Sequence, residues 1–150
     1  MLVGMHVTST AFQHGEPIPK EHSHAGDNIS PPLTFSEVPA EAKSLVLIVE
    51  DPDAPNGTFT HWIIYNMSPA TMQLAAGGLP LEGTQATSDW GEQKYNGPAP
   101  PHGTHKYNFK LFALDTELAG IRPTDKRKPI FEAMDGHIID QAELSGTYSA

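Results

Sequence analysis

Three stretches of this chain alternate or cluster apolar residues strongly enough to predict strands. Ser44–Glu50 (Ser-Leu-Val-Leu-Ile-Val-Glu) is apolar at odd and even positions alike, the pattern of a central strand covered on both faces. Phe59–Met67 is rich in β-branched and aromatic residues and forms the next strand. His105–Leu114 alternates most clearly, with Tyr107, Phe109, Leu111 and Ala113 on one face and Lys106, Asn108 and Lys110 on the other. Weaker alternation predicts an opening strand over Leu2–Ser9. A closing strand is predicted over Ile138–Tyr148, with Ile138, Ala142, Leu144 and Tyr148 on one face. A helix runs to about Met134, capped by Thr124-Asp125 and stopped by Gly136. Residues 13–43 read as a long ordered loop with short extended pieces, and 68–104 is again loop-dominated, with any helix there short.

Composition agrees with a β-rich domain. Fourteen prolines and 13 glycines interrupt the 150 residues, and the longest proline-free stretches, 102–122 and 130–150, have 21 residues each. A helical bundle is excluded, because proline within a helix costs about 3 kcal/mol. The length is that of one domain, 1–150, able to fold without disulfide or metal. There is no cysteine, no run approaching a membrane span and no basic-then-apolar leader, so a soluble, cytoplasmic protein is expected. The formal charge of −9 repels nucleic acid and anionic membranes. Any bound anion therefore needs a local site, and the eight histidines are the groups that change charge near neutrality.

Polar residues sit where the strands begin or end. Asp51 follows the buried run, His61 shares parity with Phe59, Ile63 and Tyr65, and His105 shares parity with Tyr107, Phe109 and Leu111. Alternation points both histidines toward a core, where they need partners. They find them either in backbone carbonyls or in one another and Asp51. Trp62 falls on the face opposite His61 and reads as packing. Trp90, in a polar loop, packs or covers a pocket. His137 is satisfied locally, and Lys126-Arg127-Lys128 is a solvated basic run.

Two segments carry a resemblance. Asp51-Pro52-Asp53-Ala54-Pro55 with His61, and Gly97-Pro98-Ala99-Pro100-Pro101-His102-Gly103-Thr104-His105-Lys106-Tyr107, resemble the signature segments of the phosphatidylethanolamine-binding protein family, in its bacterial and archaeal, Raf kinase inhibitor-like branch. Asn28-Ile29-Ser30-Pro31-Pro32-Leu33, Gly136-His137-Ile138 and Gly146-Thr147-Tyr148 add to it. The resemblance implies a β-sandwich around a central antiparallel sheet, with an anion pocket where the two signature loops meet. Asp51, His61, His105 and Tyr107 take the lining positions, Pro55 and Gly97 the supporting ones, with Asp53 a weaker transfer. Mammalian members run on past this terminus with a helix beside the pocket, so a more open pocket is expected here. His102 stands where many relatives carry lysine.

The expected function is binding of a small phosphate-bearing ligand or lipid headgroup of the phosphoethanolamine type, without cofactor or turnover, in a regulatory or inhibitor protein. Asp51 holds one imidazole protonated, or reads a ligand ammonium. Three rivals stay open: a metal site built from His22, His24, Asp27, His102 and His105; a weak acid–base hydrolase; and a docking inhibitor of a kinase or serine protease whose pocket is scaffold. A homodimer is compatible with the sequence.

Overall fold

The computed structural model describes residues 4–150, and the first residues of the predicted Leu2–Ser9 strand lie outside that range. Eight strands form two antiparallel sheets. The smaller, in order β1-β2-β5, contains β1 (His6–Thr8), β2 (Leu33–Ser36) and β5 (Gln73–Leu74). The larger, in order β6-β4-β3-β7-β8, contains β3 (Ser44–Asp51), β4 (Phe59–Met67), β6 (Thr84–Gln85), β7 (Thr104–Leu114) and β8 (Ile138–Ser149). One helix, α1 (Arg127–Met134), and a 3-10 turn at Lys20–His22 complete the elements.

The larger sheet is the middle layer. One face packs Leu45, Leu47, Val49, Phe109 and Leu111 against Val7, Leu33, Phe35 and Leu74 of the smaller sheet. The other packs Val46, Ile48 and Phe112 against Ile130 and Met134 of α1. Every residue of β3 is buried, which is why its sequence is apolar on both faces.

Three predicted details differ. Thr124-Asp125 does not cap α1: the Asp125 carboxylate accepts the Arg122 N–H at 2.7 Å in a preceding turn, and the helix starts after Lys126 with no side-chain cap. Pro129 fits its first turn because the missing N–H has no partner there anyway. Ile138 leaves the face of Ala142 and Leu144, because the β7–β8 register shifts between Ala113 and Leu114. The loop at 68–104 is no such exception: it is loop-dominated as expected, with two short strands and no helix.

The third difference concerns β4 and positions the site. Glu50 pairs with Thr60 and Val49 with Trp62, so a bulge leaves His61 as an extra residue between two regular pairs. Ile63 and Tyr65 face the helix layer, while Trp62 and Ile64 face the smaller sheet. His61 lies with the second group, its ring 5.3 Å from that of Tyr107. The parity reading, which grouped His61 with Ile63 and opposed it to Trp62, fails because alternation does not carry through a bulge.

Candidate functional site

The order β4-β3-β7 brings the start of β4, the end of β3 and the start of β7 to one end of the middle sheet. There a cavity of about 240 Å³ opens, lined from the strands by Asp51, Phe59, His61, His105 and Tyr107. Loop residues Ala54, Pro55, Trp90, Ala99 and Pro101 form its rim. Five of the seven expected site residues thus meet in one cavity. Asp53 and Gly97 do not line it.

Asp51 partners His105: the ring Nδ1 lies 2.6 Å from Asp51 Oδ2, and both side chains are buried. Its other oxygen accepts the Asp53 N–H at 2.7 Å. Asp53 in turn uses its carboxylate to accept the Lys106 N–H at 2.8 Å, tying the 52–58 loop to β7.

His61 is held differently. Its Nδ1 donates to the Asn96 carbonyl at 2.7 Å, so the Trp90 indole N–H, 3.4 Å from the same nitrogen, makes an edge contact only. Burial pushes the His61 pKa below its usual 6.5, against the opposing pull of the Asn96 carbonyl and then of Asp51. The ring is neutral at pH 7, with its lone pair on Nε2. Of the two imidazoles expected beside Asp51, His105 makes the bond and His61 does not.

The Tyr107 hydroxyl is buried and makes no hydrogen bond of good geometry among the described residues, although the Asp51 carboxylate and the Ala99 backbone stand near it. Burial, then the negative charge of Asp51, holds its pKa far above the ordinary value. It stays a neutral donor throughout the working range.

Gly97 sets the loop. Its N–H donates to Asn28 Oδ1 at 2.7 Å, Asn28 Nδ2 donates to Asn96 Oδ1 at 2.9 Å, and Asn96 Nδ2 donates to Glu92 Oε1 at 3.0 Å. A Cβ on Gly97 would collide with the backbone carbonyl of His22.

Trp90 does belong to the cavity wall. The Thr60 N–H donates to Asp89 Oδ2 at 2.8 Å and the Asp89 N–H donates to the Thr60 carbonyl at 2.9 Å, anchoring the loop to β4. The indole then stacks on His24 (4.5 Å between rings) and stands edge-on to Phe59. Phe59 was legible only as a strand residue. Trp90 was legible as a candidate, but its placement depends on long-range bonds that no local pattern encodes.

Of the proposed metal ligands, His22 is buried with Nδ1 on the Ile29 carbonyl at 2.8 Å. Among the described residues, no three His, Cys, Asp or Glu side chains converge. His102 is exposed outside the cavity, and His137 pairs with Asp115 at 2.8 Å. No helix among the described residues is long and apolar enough to cross a membrane.

The lowered His61 pKa has a sign. Below about pH 6.5 the unfolded chain takes up a proton there that the folded chain refuses, so this residue's contribution falls as pH drops from 6.5 to its folded pKa. Urea midpoints should fall more steeply between pH 7 and 5 for the native chain than for His61→Gln. Parallel curves would defeat the assignment.

A β-sandwich with a layer of helix behind it and a polar cavity at the end of its middle sheet is the class of protein these features define. The family model described as phosphatidylethanolamine-binding protein matches residues 8–149. The UPF0098 protein of Chlamydia trachomatis is 50% identical over 149 residues, covering 96% of this chain and 98% of that one. That of the archaeon Methanothermobacter thermautotrophicus is 44% identical with the same coverage. Among solved structures, a phosphatidylethanolamine-binding protein homologue from C. trachomatis superposes with a TM-score of 0.92 at 49% identity, covering 98% of both chains. E. coli YbcL, described as a member of the mammalian family, gives 0.92 at 30% identity, covering 99% of both. This chain belongs to the phosphatidylethanolamine-binding protein family, among relatives from bacteria and archaea.

Proposed function

We propose that the cavity binds a small phosphate-bearing anion of the phosphoethanolamine type, and that the protein acts by binding, as a regulator or inhibitor, and not by turnover. The observation that carries this reading is the buried, unpartnered Tyr107 hydroxyl beside the Asp51–His105 pair. An unsatisfied buried donor costs about 1–3 kcal/mol, which a ligand oxygen recovers. In its charged form His105 donates through Nε2 to a second oxygen. Trp90 and Phe59, which line the cavity together with Asp51, suit a ligand ammonium group.

His61 gives the binding its pH dependence. Its neutral Nε2 offers a lone pair, so a phosphate oxygen is accepted only when one proton lies between them. That proton comes from the imidazolium or from the ester, whose second pKa is about 6. Binding takes up a proton, and affinity should rise as pH falls from 8 to 6. Titration with phosphoethanolamine, followed by broadening of its phosphorus resonance, is the test. His61→Ala should weaken binding about tenfold, the worth of one charge-assisted hydrogen bond. An affinity flat across that pH range, or no broadening at millimolar ligand, overturns the reading. Inhibition of a kinase or protease that survives His61→Ala instead assigns the function to the surface around the cavity.

A further inference from the structure

The neutral form of His105 has a second capability. With the Nδ1 proton directed at Asp51 Oδ2, the lone pair sits on Nε2, which has no hydrogen-bond partner among the described residues. A carboxylate on the far nitrogen stabilises the positive charge that an imidazole acquires as it attacks an electrophile. A second carboxylate–histidine pair, Asp115–His137, has a similar distance but lies about half exposed and lines no part of this cavity. The combination of burial, cavity and an unpartnered O–H donor belongs to His105.

We propose that His105 Nε2 is a phosphoryl acceptor, taking the group from an acyl phosphate and holding it as phosphohistidine. This rests on the reading of the cavity as a phosphate site and extends it from holding an anion to receiving one. In the step, the Nε2 lone pair forms the N–P bond while the bond from phosphorus to the carboxyl oxygen of the mixed anhydride breaks. The carboxylate leaves with that electron pair. The Nδ1 proton stays between His105 and Asp51, balancing the charge on the ring, and Tyr107 O–H donates to a phosphoryl oxygen. No redox partner is involved.

The donor class follows from what the cavity lacks. An alkoxide leaving group needs a proton, and neither neighbour is set to give one. His61 is neutral with its single N–H committed to the Asn96 carbonyl, and Tyr107 retains its proton strongly. A carboxylate leaving group needs none.

The test is incubation of the native chain with acetyl phosphate, followed by intact mass and peptide mapping. Phosphohistidine survives base and is lost in acid, an acyl phosphate on Asp51 is lost in base, and phosphotyrosine survives both. An acid-labile, base-stable adduct on the peptide carrying His105 is expected. It should be absent in His105→Gln, with folding checked by thermal melting, and retained in His137→Gln. Asp51→Asn should slow its formation about a hundredfold while leaving the adduct's stability pattern unchanged.

Phosphoethanolamine separates this idea from the one beneath it. If its resonance broadens and no such adduct forms, the acceptor role falls and the binding role stands. If neither occurs, both fall. An adduct without broadening upholds the acceptor and overturns the headgroup reading. An adduct that persists in His105→Gln overturns the assignment.

Discussion

Gly97→Ala should lower stability by on the order of 3 kcal/mol, because the added methyl meets a backbone atom and not the yielding end of a side chain. The obstacle is the carbonyl of His22, and the segment behind it is fixed. The Tyr95 hydroxyl donates to that same carbonyl at 2.6 Å, and the His24 N–H donates to the Pro98 carbonyl at 3.0 Å. Relieving the clash separates two strips of chain held together by these bonds. It also breaks the Gly97–Asn28 bond and releases Asn96, whose carbonyl orients His61. A melting temperature lower by about 10 °C is expected for a domain of this size, with weaker phosphoethanolamine binding. Gly103→Ala is the comparison. That glycine has positive φ and open space around it, so the loss should be about 1 kcal/mol. Equal shifts for the two variants would show that conformational freedom, and not the close approach, is what Gly97 provides.

The second large effect lies on the opposite face of β3. Glu50 is buried, its two oxygens held by Lys110 Nζ at 2.7 Å and Arg127 Nε at 2.9 Å. Arg127 also lies over the ring of Phe131 in the same helix at 4.2 Å, which holds its guanidinium in place, and the ion pair with Glu50 then ties α1 to the sheet. Replacing both cations in Lys110→Met/Arg127→Met strands a buried carboxylate. The expected cost is about 3 kcal/mol, at the lower end for a broken buried pair because both cations are partly exposed and water can reach the gap. Adding Glu50→Gln to the double variant should restore most of the loss at neutral pH. Chemical denaturation of the three chains reads this directly, and a triple variant no better than the double would refute the charge argument.

What the sequence disclosed follows from how each element is stabilised. Ser44–Glu50 and Phe59–Met67 were legible to within a residue because burial on two faces leaves a dense apolar run, and Thr104–Leu114 because its faces alternate. Asp51 and His105 were legible as inward polar residues at strand ends. Asp53 and Gly97 entered on resemblance alone, and the fold makes them loop ties. The start of α1 was not legible, since Asp125 spends its carboxylate on Arg122 instead of on the helix. The orientation of His61 was lost because a bulge is a property of two paired strands and leaves no period in either. Trp90 reaches the cavity through Asp89 and Thr60, residues 29 apart in the chain, and a single-strand pattern holds no record of that bond.

The bulge in β4 bears on how such a cavity is acquired. Without His61, Thr60 would still face Glu50 and Trp62 would still face Val49, and the ladder would run regularly from Asp51 to Leu47. The imidazole is therefore an addition to a finished strand and replaces no core residue. Loss or gain of one codon at this point switches a cavity wall while both apolar layers keep their register. The scaffold and its binding chemistry can in this way be inherited and altered separately.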